Sequence, residues 1–210
     1  MLKKWTLGII LLSTSLFSQA TLINSAVEAV DMDGITVTAF FADSSQETQI
    51  WSALNSTVGG VDNGDWSLML EGNTFGDFDQ ATNTLYGLWT LTNIAVNQDI
   101  VGLTIDAGIE GFYFDILSGT LLSTPGSEAG REFVASDDTV TATFDDVFSE
   151  PDLYGTLNIA WNPNNTLATG QALSFLTDTD KAEIPEPSTL FSFALGLIAL
   201  TSLRRKSSGK

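Results

Sequence analysis

The sequence contains no cysteine and no histidine. Without them neither a Ser-His-Asp nor a Cys-His nucleophile can be assembled, and the nitrogen and sulfur ligands that zinc prefers are missing. Disulfides are excluded as a source of stability, although their absence alone leaves the compartment open. Positive charge is the second scarcity. The 210 residues hold only 8 Lys and Arg against 26 Asp and Glu, a formal charge of −18. The cations crowd the ends, at Lys3 and Lys4 and again at Arg204, Arg205, Lys206 and Lys210. Between 21 and 187 only Arg131 and Lys181 stand against all 26 acids, which puts that segment at −24. A field of that sign repels phosphate backbones and anionic membrane surfaces, so nucleic acid is excluded as a partner. A hydrophobic fraction of 43% still supplies a core, for one domain or at most two small ones.

What is present is first of all a pair of marked ends. The chain starts MLKKWTLGIILLSTSLFSQA, with Lys3 and Lys4 ahead of an apolar run over 5–17 and then Ser18, Gln19 and Ala20. Small residues at the two inspected positions predict a secretory signal over 1–20, cut by signal peptidase after Ala20. A buried N-terminal helix is the other reading, but the run is short for a membrane span. Val27, Glu28 and Ala29 offer a second cleavage point.

The far end reads IPEPSTLFSFALGLIALTSLRRKSSGK. Residues 190–203 are apolar apart from Ser192, Thr201 and Ser202. As a helix they would cover roughly 21 Å of a hydrocarbon core about 30 Å thick, with the flanking cations snorkelling to the interface. Arg204, Arg205 and Lys206 form a basic stop that places this end in the cytoplasm. With a signal peptide leading, the acidic segment lies outside. Pro185 and Pro187 fix their own φ and hold Ile184 and Glu186 extended. The result is a stiff bracket with Glu186 as its one charged handle, pre-shaped for an enzyme that binds extended chain. A plain linker before a permanent anchor is the simpler alternative.

The three parts together, Pro185-Glu186-Pro187, the apolar stretch and Arg204-Arg205-Lys206, resemble the PEP-CTERM sorting signal. That resemblance implies recognition of Pro185, Glu186 and Pro187 by exosortase, a membrane enzyme of exopolysaccharide-producing bacteria. The apolar run and basic cluster would then be a transient anchor. The stretches LYGTL (153–157) and SFLTDTD (174–180) are similar to PEP-CTERM ectodomains of cyanobacteria and other Gram-negative bacteria, a resemblance that implies no activity. No Leu-Pro-x-Thr-Gly signal is present, and a GPI tail would not end in basic residues.

Between the ends the hydrophobic period is two. TVTATF (139–144) alternates without a break, as do Val101, Leu103, Ile105 and Leu157, Ile159, Trp161. Similar runs lie around 35–41, 66–71, 85–91, 112–116 and 172–176, separated by turn residues at 62–65, 72–73, 123–126 and 162–165. The pattern predicts an all-β ectodomain over 21–180, an antiparallel sandwich of jelly-roll kind. Residues 44–54 are the stretch expected to hold a turn of helix, and 181–187 a stalk with the Pro-Glu-Pro bracket. A single membrane helix and basic stop follow at 188–206, then a cytoplasmic tail at 207–210. TVTAFF (36–41) nearly repeats TVTATF, which two well-formed strands do by chance.

Acids cluster as Asp31-x-Asp33, Asp62-x-x-Asp65, Asp77-x-Asp79, Asp137-Asp138, Asp145-Asp146 and Asp178-x-Asp180. Oxygen-rich loops suit calcium, but none fits an EF-hand: the third ligand position after Asp31 and Asp33 is Ile35. A solvated acidic surface is the simpler reading; a structural calcium site, if built, falls best to Asp77 and Asp79 with Asn83. No other cofactor is expected. Glycosidase chemistry needs two carboxylates at a set separation, and 26 acids satisfy any distance, so their number is no evidence for an enzyme. Trp66, Trp89 and Trp161 fall within alternating strands and are expected in the core, whereas Trp51 sits among polar residues and is the candidate for an exposed sugar platform, with Tyr86, Tyr113 and Tyr154 as further members. The run 126–131, Gly-rich but no phosphate loop, reads as an exposed loop.

The expectation is a non-enzymatic, exported surface or matrix protein. Its partners are signal peptidase, exosortase, the membrane before processing, and exopolysaccharide. The alternative is a carbohydrate-binding, or else carbohydrate-cleaving, module sent by the same route.

Overall fold

The period-two alternation is realised as strands paired antiparallel wherever a register is defined. A computed structural model describes residues 21–23, 27–79, 81, 84–95, 98–117, 130–149 and 151–183. In chain order these form β1 (Thr21–Ile23), β2 (Thr36–Phe41), β3 (Gln46–Ile50), β4 (Ser52–Ala53), β5 (Val58–Asp62) and β6 (Trp66–Glu71). Next come β7 (Asp77–Asp79), β8 (Thr84–Tyr86), β9 (Trp89–Asn93), β10 (Ile100–Asp106) and β11 (Phe112–Asp115). The last are β12 (Val134–Ala135), β13 (Val140–Ser149), β14 (Leu153–Trp161), β15 (Ala172–Leu176) and β16 (Asp178–Glu183). Among the described residues the helical content is two 3₁₀ turns, Ala29–Asp31 and Gly108–Glu110, and no helix is long and apolar enough to cross a membrane. Leu22–Ala182 is one compact unit. The other comprises Met1–Thr21 and Glu183–Lys210, of which only Thr21 and Glu183 are described.

An eight-stranded sheet carries the order β1-β16-β11-β14-β10-β2-β3, with β13 on the far side of β14. Strands β10 and β11 lie end to end along β14, Ile105 opposite Leu157 and Phe114 opposite Tyr154, with the Gly108–Glu110 turn between them. The second sheet has six strands, β12-β15-β9-β6-β5-β4, and β7 pairs with β8 in a separate ribbon. Both large sheets feed one core. Val37, Ala39, Phe41, Leu103, Ile105, Leu157 and Ile159 come from the first, and Trp66, Leu68, Leu70, Trp89, Leu91, Leu173 and Phe175 from the second. Alternation along β2 and β14 puts every second residue in that core, so a one-residue slip would expose the whole set.

One glycine sets how closely the parts approach. A Cβ on Gly59 would stand 1.9 Å from the Ala29 carbonyl oxygen and 2.6 Å from Trp51 Nε1. Only Gly at this point of β5 lets the Ala29–Asp31 turn and the Trp51 ring lie against the sheet.

Three expectations are corrected. Residues 44–54 hold no helix but β3 and β4. Ser44 at φ 70° turns the chain, with the Asp43 carboxylate accepting the Ser45 N–H at 2.9 Å, and β3 then pairs with β2, where Thr38 and Thr48 hydroxyls lie 2.9 Å apart. Secondly, the ectodomain does not stop at 180: Lys181 lies opposite Phe112 in the sheet, so part of the expected stalk is strand. Finally, Arg131 is half-buried and Gly130 buried, so this end of the 126–131 run is no exposed loop.

Candidate functional site

The sorting residues themselves, Pro185, Glu186 and Pro187, lie outside the described residues, as do Arg204, Arg205, Lys206 and Ala20. The structure does describe the strand that runs into the bracket. Strands β15 and β16 are almost continuous, β15 in the six-stranded sheet and β16 in the eight-stranded one, with only Thr177 between. The crossing is pinned from both sides. Trp89 Nε1 donates to the Thr177 carbonyl at 3.3 Å, and Thr74 Oγ1 donates to Asp178 Oδ1 at 3.0 Å while accepting the Thr179 N–H at 3.3 Å.

Here the sequence is misleading. Asp178-x-Asp180 reads as a solvated loop, yet both carboxylates are buried within β16, and Asp115 lies directly opposite Asp178 and is buried as well. Burial pushes the Asp178 carboxyl up to about 6, with Asp115 adding to the rise; the Thr179 N–H, the Thr74 hydroxyl and the Arg131 charge oppose it. The Arg131 guanidinium rests over the Phe75 ring, its carbon 4.6 Å from the centroid, with Nε buried and unpaired. Thr74 and Asp178 form a hydroxyl–carboxylate pair of the kind that can activate a nucleophile, but both are shut from solvent and their bonds serve the crossing.

Several other carboxylates accept backbone N–H groups, most of them in turns. Asp62 Oδ1 takes the Gly64 N–H at 2.9 Å, Asp137 Oδ1 takes the N–H and hydroxyl of Thr139, and Asp33 Oδ1 takes the Ala53 N–H. Such bonds to the charged form hold Asp137, and likewise Asp43 through Ser45, below the usual carboxylate range. This is why the acids cluster where strands end. Asp145-Asp146 corrects a second reading: both lie inside β13, which runs on past Phe144 to Ser149, with a register shift between Val147 and Ser149.

Among the described residues no group of three acids stands ready to hold a metal. Asp77 and Asp79 lie on β7, facing Tyr86 and Thr84 in register, and Asn83 falls outside the described residues. Acids engaged as turn acceptors predict that calcium moves the melting temperature by less than about 2 °C relative to magnesium at equal ionic strength. A rise of several degrees reversed by chelator would instead establish a calcium site.

The platform residue is also corrected. Trp51 is 1% exposed, its Nε1 donating to the Ala29 carbonyl at 2.8 Å, and its ring lies 5.2 Å from that of Trp89. Polar neighbours misled because Gln49 and Ser52 sit on short edge strands while Trp51, between them, turns inward over Gly59. Trp66, Trp89 and Trp161 are buried, as their alternation predicts.

The described residues thus form an all-β unit whose last strand ends two residues before Pro185 in the sequence. Residues 183–206 match the family model described as the PEP-CTERM protein-sorting motif. The chain thus carries a stretch that matches the PEP-CTERM sorting motif, and that motif implies exosortase as a processing partner, with export and transient anchoring. The match begins at Glu183, the final residue of β16, and assigns no family to the sheets ahead of it. No curated protein and no solved structure matches the chain.

Proposed function

We propose that this is an exported, non-enzymatic protein of the cell surface or extracellular matrix, cut near Pro185-Glu186-Pro187 and held in the exopolysaccharide layer as a structural or adhesive component. The sorting motif at 183–206 carries this reading. Residues 188–206 would span the membrane briefly, with Arg204, Arg205 and Lys206 as the inner stop, while Ala20 marks the bond cut by signal peptidase. The acidic unit supports it: a segment at −24 stays soluble outside the cell and slides off anionic membranes. Two antiparallel sheets sharing one core fit the jelly-roll-type sandwich that the strand pattern suggested.

Mass spectrometry of the protein recovered from a host with exosortase tests the processing. The expected product lacks Arg204, Arg205 and Lys206 and ends near Pro187, and replacing Glu186 with Ala lowers its yield at least about tenfold, the scale of a lost recognition contact. Recovery of the intact basic end from such a host would overturn the reading. A second reading, a carbohydrate-binding module sent by the same route, is favoured by one group of exposed aromatic and acidic side chains.

A further inference from the structure

The group lies where the Gly108–Glu110 turn meets β13. Tyr113 and Phe148 stack with centroids 4.1 Å apart and planes at 29°, and Phe148 is 40% exposed. Ile109, on the turn that precedes β11 and Tyr113, is 75% exposed. A surface aromatic pair, Phe148 exposed and Tyr113 half-buried beneath it, stands out in a chain that buries Trp51, Trp66 and Trp89 completely. Two carboxylates adjoin the pair. Asp146 takes φ 57° next to the β13 register shift, a left-handed conformation that re-aims its side chain. Its Oδ2 hangs over the backbone of Gly108 and Gly155: a Cβ on either would come within 2.9 and 2.5 Å of that oxygen. Asp106 and Asp145 both lie opposite Thr156, in one cross-strand row with Asp146 next along β13, and the Asp146 charge raises the pKa of the Asp106 carboxyl and the Tyr113 hydroxyl, in each case after burial.

A polar ladder adjoins it. Asp106 lies two residues beyond Thr104 on the same face of β10, and Thr104 belongs to a cross-strand row that reads Thr48, Thr38, Thr104, Asn158, Thr143. The row is bonded sideways, Thr104 Oγ1 to Asn158 Oδ1 at 2.7 Å and Asn158 Nδ2 to Asp145 Oδ2 at 2.9 Å.

We propose that this junction is a glycan-binding site for an uncharged hexopyranose chain: a sugar ring stacks by its C–H face on the Phe148–Tyr113 pair, Asp106 and Asp146 accept its hydroxyls, and the Thr/Asn row carries the units that follow. Strand spacing of about 4.8 Å is comparable with one pyranose unit of an extended chain, so successive units meet successive strands. Charge selects the occupant. Asp106, Asp145 and Asp146 repel uronate polymers, phosphate backbones and a second copy of this acidic chain, whereas a neutral polyol gains charge-assisted hydrogen bonds from them. The site names the ligand class of the adhesive role proposed above and rests on that reading.

The test uses the full-length chain in detergent, with affinity electrophoresis in gels holding cellohexaose-type β-glucan, an α-glucan, a mannan or polygalacturonate. At least one neutral polymer should retard the protein saturably and polygalacturonate should not. Phe148→Ala should weaken that retention about tenfold. Asp146→Asn, which keeps a side chain tolerant of positive φ, should weaken it several-fold, with both melting temperatures within about 4 °C of the parent. Lack of saturable retention on every neutral polymer, equal retention by polygalacturonate, or unchanged binding in both variants would each overturn the site. Tail removal is read separately by mass: a processed protein that binds no glycan sinks this inference alone, and an unprocessed one that binds sinks the sorting reading alone.

Discussion

Replacing Trp89 with Ala should cost about 4 kcal/mol and leave the protein largely unfolded at 37 °C, as the large-to-small scale for buried Trp implies. Trp89 is 0% exposed at the centre of the six-stranded sheet, flanked by β6 and β15. Its ring stacks on Phe175 at 5.8 Å and 13° and meets Trp51 at 5.2 Å. Since Trp51 is held in turn by the Ala29 carbonyl and fitted over Gly59, the cavity cannot close by a simple shift of that ring. The indole N–H adds a second loss, because without it the buried Thr177 carbonyl at the sheet crossing goes unpaired. Trp89→Phe separates the two: it keeps most of the packing, gives up the hydrogen bond and should cost about 1–2 kcal/mol. Denaturant melts of the three proteins check the order. A Trp89→Ala protein within about 1 kcal/mol of the parent would mean that the ring is not the keystone described here.

The parts of this architecture visible in the sequence are those decided locally. Strands β2 and β14 alternate because one face of each is buried, and the period is read directly from TVTAFF and from Leu157, Ile159, Trp161; on β10 Leu103 and Ile105 follow it, but a register shift between Ile100 and Gly102 puts Ile100 rather than Val101 in the core. The turn at 62–65 is equally local: Asn63 Oδ1 accepts the N–H groups of Asp65 and Trp66, and Gly64 supplies φ 87°. The sorting tail is legible for a related reason, since its recognition is of a linear string of residues.

What was hidden depends on residues far away in the chain. Trp51 has polar neighbours in sequence, and only Gly59 and Ala29 in space show that it must face inward. The alternation visible in β13 stops at Phe144, and nothing local says that Asp146 will tolerate a left-handed conformation while Val147 and Ser149 still pair with β14. The aromatic pair of the proposed glycan site has the same origin, for Tyr113 and Phe148 are brought together by the β14 strand between β11 and β13. Asp178 and Asp180 look soluble by composition, and the partner that admits Asp178 to the interior, Thr74, is 104 residues distant.

That buried acid gives the second large effect. Asp178→Asn should stabilise the protein near neutral pH by on the order of 3 kcal/mol, the linkage value of a carboxyl shifted from 3.8 to about 6. The folded state holds the proton more tightly than the unfolded chain does. Stability from this group is therefore fully present below pH 4 and falls as pH rises towards 6, beyond which it stays low. Asp106, raised first by burial and then by Asp146, contributes in the same direction, whereas Asp43 and Asp137 are lowered, so the stability they give is present above pH 4 and lost as pH falls below it. Relief of the general repulsion among 26 acids would also favour the fold on acidification, so the variant is needed to isolate the one carboxyl. Asn keeps the shape, accepts the Thr74 hydroxyl through its own oxygen and offers N–H groups towards Asp115 in place of a like charge. The expected result is a melting temperature raised by roughly 6–12 °C at pH 7.5, shrinking to nothing by pH 4. A variant that melts lower than the parent at pH 7.5 would show that the ionised Asp178 is a net attraction, held by Arg131, and that the last strand before the sorting motif is fastened by charge rather than strained by it.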